Sequence, residues 1–166
     1  GEGAVWTVLG EFSDFPHNSI VQPDRSVNNA TVWVPDFNRD YYMNLLFNAA
    51  PGANSMRNFY IEQSSNRYTV HGDVTDWVLV PGNACDYDDG DPGPGDAQHV
   101  WQFLLDTVNG WYNAQIAAGK TPAEINAYLS QFDKWDRYDY NGNGNFDEPE
   151  GYIDTVQFVH AGEGNE

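Results

Sequence analysis

"DYNGNGNFDEPEGYIDTVQFVHAG", residues 139–162, decides the fold by what its second half does after its first. The first twelve residues put an oxygen-bearing side chain at almost every other position, with Gly144 sixth. Calcium takes about six to eight hard oxygen ligands, and a 12-residue loop supplies them from positions 1, 3, 5, 7, 9 and 12 when a glycine at position 6 permits the sharp turn. Here those positions are Asp139, Asn141, Asn143, Asn145 through its backbone carbonyl, Asp147 and Glu150. Composition alone would produce a full match in roughly one such chain in several hundred. An EF-hand would continue into a helix. Gly151 and the β-branched residues after it read instead as a strand, so the unit is helix–loop–strand and lacks the paired helices whose reorientation makes a calcium sensor. A structural calcium is therefore expected, with Phe146 at position eight turned into the core as an apolar anchor.

The helix entering this loop starts at "TPAE", residues 121–124, where Thr121 caps, Pro122 occupies the first turn and Glu124 completes a capping box. It is expected to run to about Trp135, with Ile125, Leu129 and Phe132 inward. Before it, "AQHVWQFLLDTVNGWYNAQIAAG" reads as the longest helix, with Asp96 as N-cap, Gly119 as C-cap and Val100, Leu104, Val108, Trp111 and Tyr112 on one face. Gly110 inside it costs about 1 kcal/mol relative to alanine. "CDYDDGDPGPGD" cannot bury itself and is a surface loop. Asp86, Asp88, Asp89 and Asp91 there suggest a second calcium, although four carboxylates so close more often form a solvated, self-repelling loop.

Nearer the start, "AVWTVLGEF" (residues 4–12) reads as a buried strand, and "NRDYYMNLLFNAAPG" as a short helix capped by Asn38. Ser55 caps another helix, followed by "RYTVHGDVTDWVLVP" as a strand or bent hairpin. This order points to a mixed α/β layer structure. With 166 residues, 40% of them hydrophobic, one core and one domain are expected.

Seven basic against 25 acidic residues give a formal charge of −18, a field that repels nucleic acid and anionic membrane and attracts divalent cations. No apolar run approaches the roughly 20 residues that span a bilayer. The opening "GEGAVWTVLGEF" lacks the basic start of a signal peptide, so any export signal is expected to have been removed. Cys85 is the single cysteine, read as a buried thiol or as half of a bridge to another chain.

His17, His71, His99 and His160 are scattered, and no H-E-x-x-H pair sets two imidazoles and a general base around zinc. His160, ending an apolar strand, reads as a hydrogen-bonded structural histidine. No G-x-S-x-G nucleophile turn exists, Cys85 sits among carboxylates that disfavour a thiolate, and "GDPGPGD" and "NGNGN" lack the lysine of a phosphate cradle.

The segments "FNRDYYMNLLF", "SMRNFYIEQSSNRYTVHGDVTDWVLVP", "YDYNGNGNFDEPEGYID" and "FVHAGEGNE", in this order, resemble the immune inhibitor A family of secreted bacterial zinc metalloendopeptidases. The resemblance spans nearly the whole chain. It implies the N-terminal portion of one catalytic domain of the α/β (α+β) class, a zincin-like mixed sheet with backing helices, incomplete here. It implies protein or peptide substrates and zinc as cofactor. In that family the zinc-binding motif lies downstream of the segment resembling "FVHAGEGNE", so no zinc ligand or catalytic residue carries over. From this the expectation is a C-terminal remainder of the same precursor associated as a separate chain, with "AGEGN" as an exposed cleavage loop. The alternative is a calcium-stabilised secreted binding or adhesion module.

Overall fold

A computed structural model describes residues 1–87 and 96–162. Three strands, β1 (Glu2–Glu11), β2 (Thr69–Leu79) and β3 (Val156–His160), form one sheet in the order β2-β1-β3. The N–H groups of Thr69 and Val80 reach the carbonyls of Gly1 and Glu11 (3.1 and 2.9 Å), so β2 runs parallel to β1. Trp6 N–H to the Thr155 carbonyl (3.0 Å) and Ala161 N–H to that of Gly10 (2.9 Å) make β3 parallel as well. β1 is thus central, and Ala4 to Gly10 are all buried, which is why its sequence is a continuous apolar run instead of an alternation. Leu9 N–H goes to Thr75 Oγ1 at 3.1 Å, a side chain taking over from the ladder at that point.

Among the described residues four helices complete the mixed α/β architecture: α1 (Arg39–Phe47), α2 (Met56–Gln63), α3 (Asp96–Ala117) and α4 (Pro122–Leu129). The chain divides into two compact units, one of Gly1–Thr7, Tyr42–Val74 and Tyr112–Gln157, the other of the described parts of Val8–Tyr41, Thr75–Trp111 and Phe158–Glu166.

In the first unit the Trp6 ring packs against Phe132 with centroids 6.5 Å apart, and Tyr128 meets Phe132 edge-on. Ile125, Val70, Val74 and Leu46 are also buried. Tyr128 donates to Asp73 Oδ2 at 2.9 Å, fastening α4 to β2. Ser55 accepts the Asn58 N–H at the start of α2, and at α4 the Thr121–Glu124 capping box is complete in both directions. The helix ends at Leu129, short of the expected Trp135, and tightens into a 3-10 turn over Ser130–Phe132. The next residue, Asp133, is extended, and both of its carboxylate oxygens are engaged by backbone N–H groups at the far end of the loop. Phe132 is buried as expected; Leu129 is only half-buried.

In the second unit Phe12, Val80 and Phe103 form the core, with Phe15, Ala84, Tyr87 and Leu104 against them. α3 lies close on β1 because Gly10 has no Cβ; one would stand 2.5 Å from the Phe103 ring and 2.9 Å from Thr107 Oγ1. Thr107 is fully buried, its hydroxyl satisfied by the Phe103 carbonyl at 2.7 Å. Within this unit the inward face of α3 is therefore Phe103, Thr107, Gly110 and Trp111. The expected face is corrected in part: Val100 is 54% exposed and, in the other unit, Tyr112 is exposed as well. The close approach at small residues, rather than the tally of apolar ones, sets the rotation of the helix. Cys85 is exposed instead of buried, on a 3-10 turn (Ala84–Tyr87) whose packed residues are Ala84 and Tyr87.

Candidate metal-binding loop

Residues 133–154 are gathered by three carboxylates at the base of the loop. Asp133, buried, accepts the N–H groups of Glu150 and Gly151 at 2.9 and 2.7 Å. Asp136, 1% exposed, accepts the Tyr140 N–H through both oxygens at 3.0–3.1 Å. Asp154, whose side chain is 2% exposed, accepts the Lys134 N–H at 2.7 Å and turns its other oxygen toward Arg137 Nε at 4.0 Å. The backbone of residues 139–151 is thereby closed at its neck.

Within the loop the chain reverses at residues with positive φ: Asp139 (50°), Gly142 (69°), Gly144 (76°) and Gly151 (93°). A Cβ at position 144 would be strained by that φ alone, which is the reason the sixth place is glycine. Each oxygen donor of the first half also shapes the backbone. Asp139 Oδ1 accepts the Gly144 N–H at 3.1 Å, Asn141 Oδ1 that of Asn143 at 3.0 Å, Asn143 Oδ1 that of Asn145 at 2.6 Å, and Asn145 Oδ1 that of Asp147 at 3.2 Å. Successive side-chain oxygens thus accept backbone N–H groups further along the loop, a chain of turns in which each side chain fixes the path of the residues after it.

Glu148, which the spacing did not single out, collects the amide hydrogens of that arrangement. Its Oε1 accepts Asn141 and Asn143, both at 2.7 Å, and its Oε2 accepts Asn145 at 2.9 Å. These bonds, those from Asn141 and Asn143 foremost, hold its carboxyl below the ordinary range. Glu150, the twelfth residue, sits at the neck: its N–H is on Asp133, and its Oε2 is buried without a hydrogen-bond partner. Burial, then a hydrogen bond with Asp136 and the charges of Asp136, Asp133 and Asp154, pushes its carboxyl up. Among the described residues no three His, Cys, Asp or Glu side chains converge into a metal cage. Of the six residues picked from the sequence, Asn141, Asn143 and Asn145 are drawn together by Glu148, Asp139 accepts a loop N–H, Asp147 donates its own backbone N–H to Asn145, and Glu150 stands at the base.

Phe146 is 54% exposed, so the apolar-anchor expectation is overturned; the loop is fastened to the fold by Asp133, Asp136 and Asp154 instead. Asp133 directly follows the buried Phe132 and Asp136 comes three residues later, and acids so close to a buried ring, needing partners if turned inward, are the signal available in the sequence. In the second acidic stretch, Asp86 accepts the Asn83 N–H at 2.7 Å; Asp88, Asp89 and Asp91 lie outside the described residues, as does most of "AGEGN".

The four histidines do not make a zinc site. His17 Nδ1 is 2.6 Å from Glu11 Oε2, its ring stacked on Trp77 at 4.9 Å. His71 Nδ1 pairs with Glu2 at 3.1 Å, and His160 Nδ1 with the Ala161 carbonyl at 3.0 Å, the structural role expected. His99 lies on α3. Among the described residues no group of three His, Cys, Asp or Glu side chains fits zinc.

Comparison with known proteins adds what the loop cannot. Residues 2–166 match the model of the immune inhibitor A peptidase M6 catalytic domain. Immune inhibitor A of Bacillus thuringiensis subsp. alesti is 35% identical over 169 residues, covering 98% of this chain and 23% of that protein. Pre-pro-metalloprotease PrtV of Vibrio cholerae serotype O1 (strain M66-2) is 32% identical over 170 residues, covering 98% of this chain and 17% of that protein. The chain thus spans less than a quarter of the length of these curated relatives. On a match that takes in all but its first residue, the chain belongs to the immune inhibitor A peptidase M6 family.

Proposed function

We propose that these residues are the N-terminal portion of the catalytic domain of a secreted zinc metalloendopeptidase that hydrolyses peptide bonds in proteins. The observation that carries this reading is the family match over residues 2–166. In this reading zinc polarises the peptide carbonyl and activates water, and its ligands belong to a C-terminal remainder, joined to these residues or carried as a separate chain. The part described here supplies the sheet, its backing helices and a structural calcium site. Calcium would be held by Asp139, Asn141, Asn143, the Asn145 carbonyl, Asp147 and Glu150. With a dissociation constant of about 10 μM and calcium at about 1 mM, binding to the native state alone would add roughly 2.7 kcal/mol of stability.

The test compares the 166-residue chain with the longer polypeptide for zinc content and for hydrolysis of an unstructured protein substrate. The chain alone is expected to hold no stoichiometric zinc and to be inactive, while the longer polypeptide holds one zinc and cleaves. Stoichiometric zinc and proteolysis by the chain alone would overturn the division of labour proposed.

A second reading, a calcium-stabilised binding module, is favoured by the exposed rings of Tyr138, Tyr140 and Tyr152, which contact one another in series beside the loop. A longer polypeptide that binds calcium but lacks both zinc and proteolysis would select it.

A further inference from the structure

The protein is strongly acidic, yet two of its few cations face one cleft. A cavity of about 290 Å³ in the first unit is lined by Gly1, Arg57, Ile61, Asn66, Arg67, Tyr68 and Thr69. Only seven lysines and arginines stand against 25 acids in the chain, so an arginine without an acidic neighbour is unexpected on composition alone. Among the described residues neither Arg57 nor Arg67 has a carboxylate within ion-pair distance.

Two polar atoms belonging to residues that line the cleft are also left over. Arg57 Nε and Thr69 Oγ1 are buried and have no hydrogen-bond partner. An unsatisfied buried polar group is costly, more so when charged, so such atoms in cleft-lining residues mark where a bound group would recover that cost. Arg67 is partly engaged, its Nε capping the Ser64 carbonyl at 2.9 Å, which orients the guanidinium and leaves its terminal nitrogens for a ligand. The wall is built locally: Asn66, at φ 63°, closes the turn after α2 with its N–H on the Ile61 carbonyl at 2.8 Å. Gly3 leaves the space that the Tyr68 hydroxyl fills, so the Tyr68 ring lies over β1 as one side of the cleft.

We propose that this cleft binds a carboxylate carried on a compact apolar body, held by the forked donors of Arg57 with Arg67 and by the Thr69 hydroxyl, its apolar part against Ile61 and Tyr68. A planar guanidinium matches a carboxylate in two parallel hydrogen bonds. Two features favour this monoanion over a phosphate dianion: the net charge of −18, and the adjacent C-terminal end of α2, the negative end of the helix dipole. The charge comes from the arginines and does not depend on the Gly1 amine. The volume lies at the small end of ligand cavities, suiting a ligand of side-chain size. The proposal does not rest on the protease reading.

The test is an amide-detected NMR titration of the 166-residue chain with benzoate, acetate and inorganic phosphate, each against chloride at matched ionic strength. Benzoate is expected to saturate, with a dissociation constant on the order of 1 mM, tighter than acetate and phosphate, and to shift amides 57, 61 and 66–69. Arg57→Gln is expected to weaken it about tenfold, and Thr69→Val to weaken it less, both variants retaining the dispersed spectrum of the parent. Three results would each overturn the proposal: no saturation, an equal response to chloride (an adventitious ion only), or benzoate binding unchanged in Arg57→Gln and in Arg67→Gln. Phosphate binding tighter than benzoate would overturn the choice of carboxylate.

Discussion

Glu148 accepts the side-chain amide of Asn143 at 2.7 Å, and with it holds the first half of the acidic loop in shape. A bound calcium would take over that task while Glu148 lies outside the six proposed donors. Calcium is expected to raise the melting temperature relative to EGTA by about 5–10 °C, taking roughly 2.7 kcal/mol and 2–4 °C per kcal/mol for this chain length. Asp139→Ala should abolish the rise. Glu148→Ala should instead lower the melting temperature in EGTA and keep the calcium-dependent rise. Scanning calorimetry of the three proteins decides the matter; identical melts with and without calcium would count against the site.

A second expectation concerns alkaline pH. Tyr87 donates to Asp106 Oδ2 at 2.8 Å, and burial, with that bond second, pushes its hydroxyl up to about 12 from an ordinary 10. Between those values the unfolded chain has lost a proton that the native state keeps, so this contribution is intact below pH 10 and is lost as the pH climbs through 12. Urea midpoints should fall more steeply with pH in the parent than in Tyr87→Phe over that window. Parallel slopes would show that the hydroxyl titrates alike in both states.

At the start of α4, Thr121 Oγ1 accepts the Glu124 N–H at 3.3 Å while Glu124 Oε2 accepts the Thr121 N–H at 2.8 Å. Thr121→Ala should cost about 1 kcal/mol in urea unfolding. The Thr121 backbone and hydroxyl bonds hold the Glu124 carboxyl below its usual range, so its contribution is present above the ordinary carboxylate value and is lost as the pH falls through the lowered one. The Thr121→Ala penalty should accordingly shrink in acid.

Two glycines separate helix propensity from space. Gly110→Ala would gain about 1 kcal/mol of propensity and lose about 1–3 kcal/mol to overpacking, because the new Cβ would stand 2.7 Å from Val78 Cγ1. A net loss near 1 kcal/mol is expected. Gly72→Ala should be worse, since its Cβ would meet the Val5 carbonyl oxygen, which cannot move without breaking the sheet, and the Phe47 ring at 2.5 Å. Denaturant melts of both variants measure the order; a stabilised Gly110→Ala would reverse the packing argument.

These outcomes follow the line between what was legible in the chain and what was not. Caps are local chemistry, so Asn38, Ser55 and Thr121 announce α1, α2 and α4 in advance, and the β-branched run after Gly151 announces β3. Features set by distant partners were not visible. Asp133 stands where the helical path ends, its oxygens meeting Glu150 and Gly151, 17 and 18 residues on. The rotation of α3 depends on the missing Cβ of Gly10, a residue of β1. In the loop, the spacing of oxygens and the sixth glycine were readable, whereas Glu148 and the outward turn of Phe146 depend on how the neck closes.

The middle strand of the three described, β1, precedes both of its neighbours in the chain, and one of them, β3, follows it by more than 140 residues. During translation β1 must therefore wait, apolar along most of its length and bare on one edge, for more than 140 residues until Val156–His160 leaves the ribosome. Parallel pairing over such a distance is slow to close and leaves the nascent chain open to aggregation. A cell producing this polypeptide has reason to keep a chaperone bound until β3 arrives.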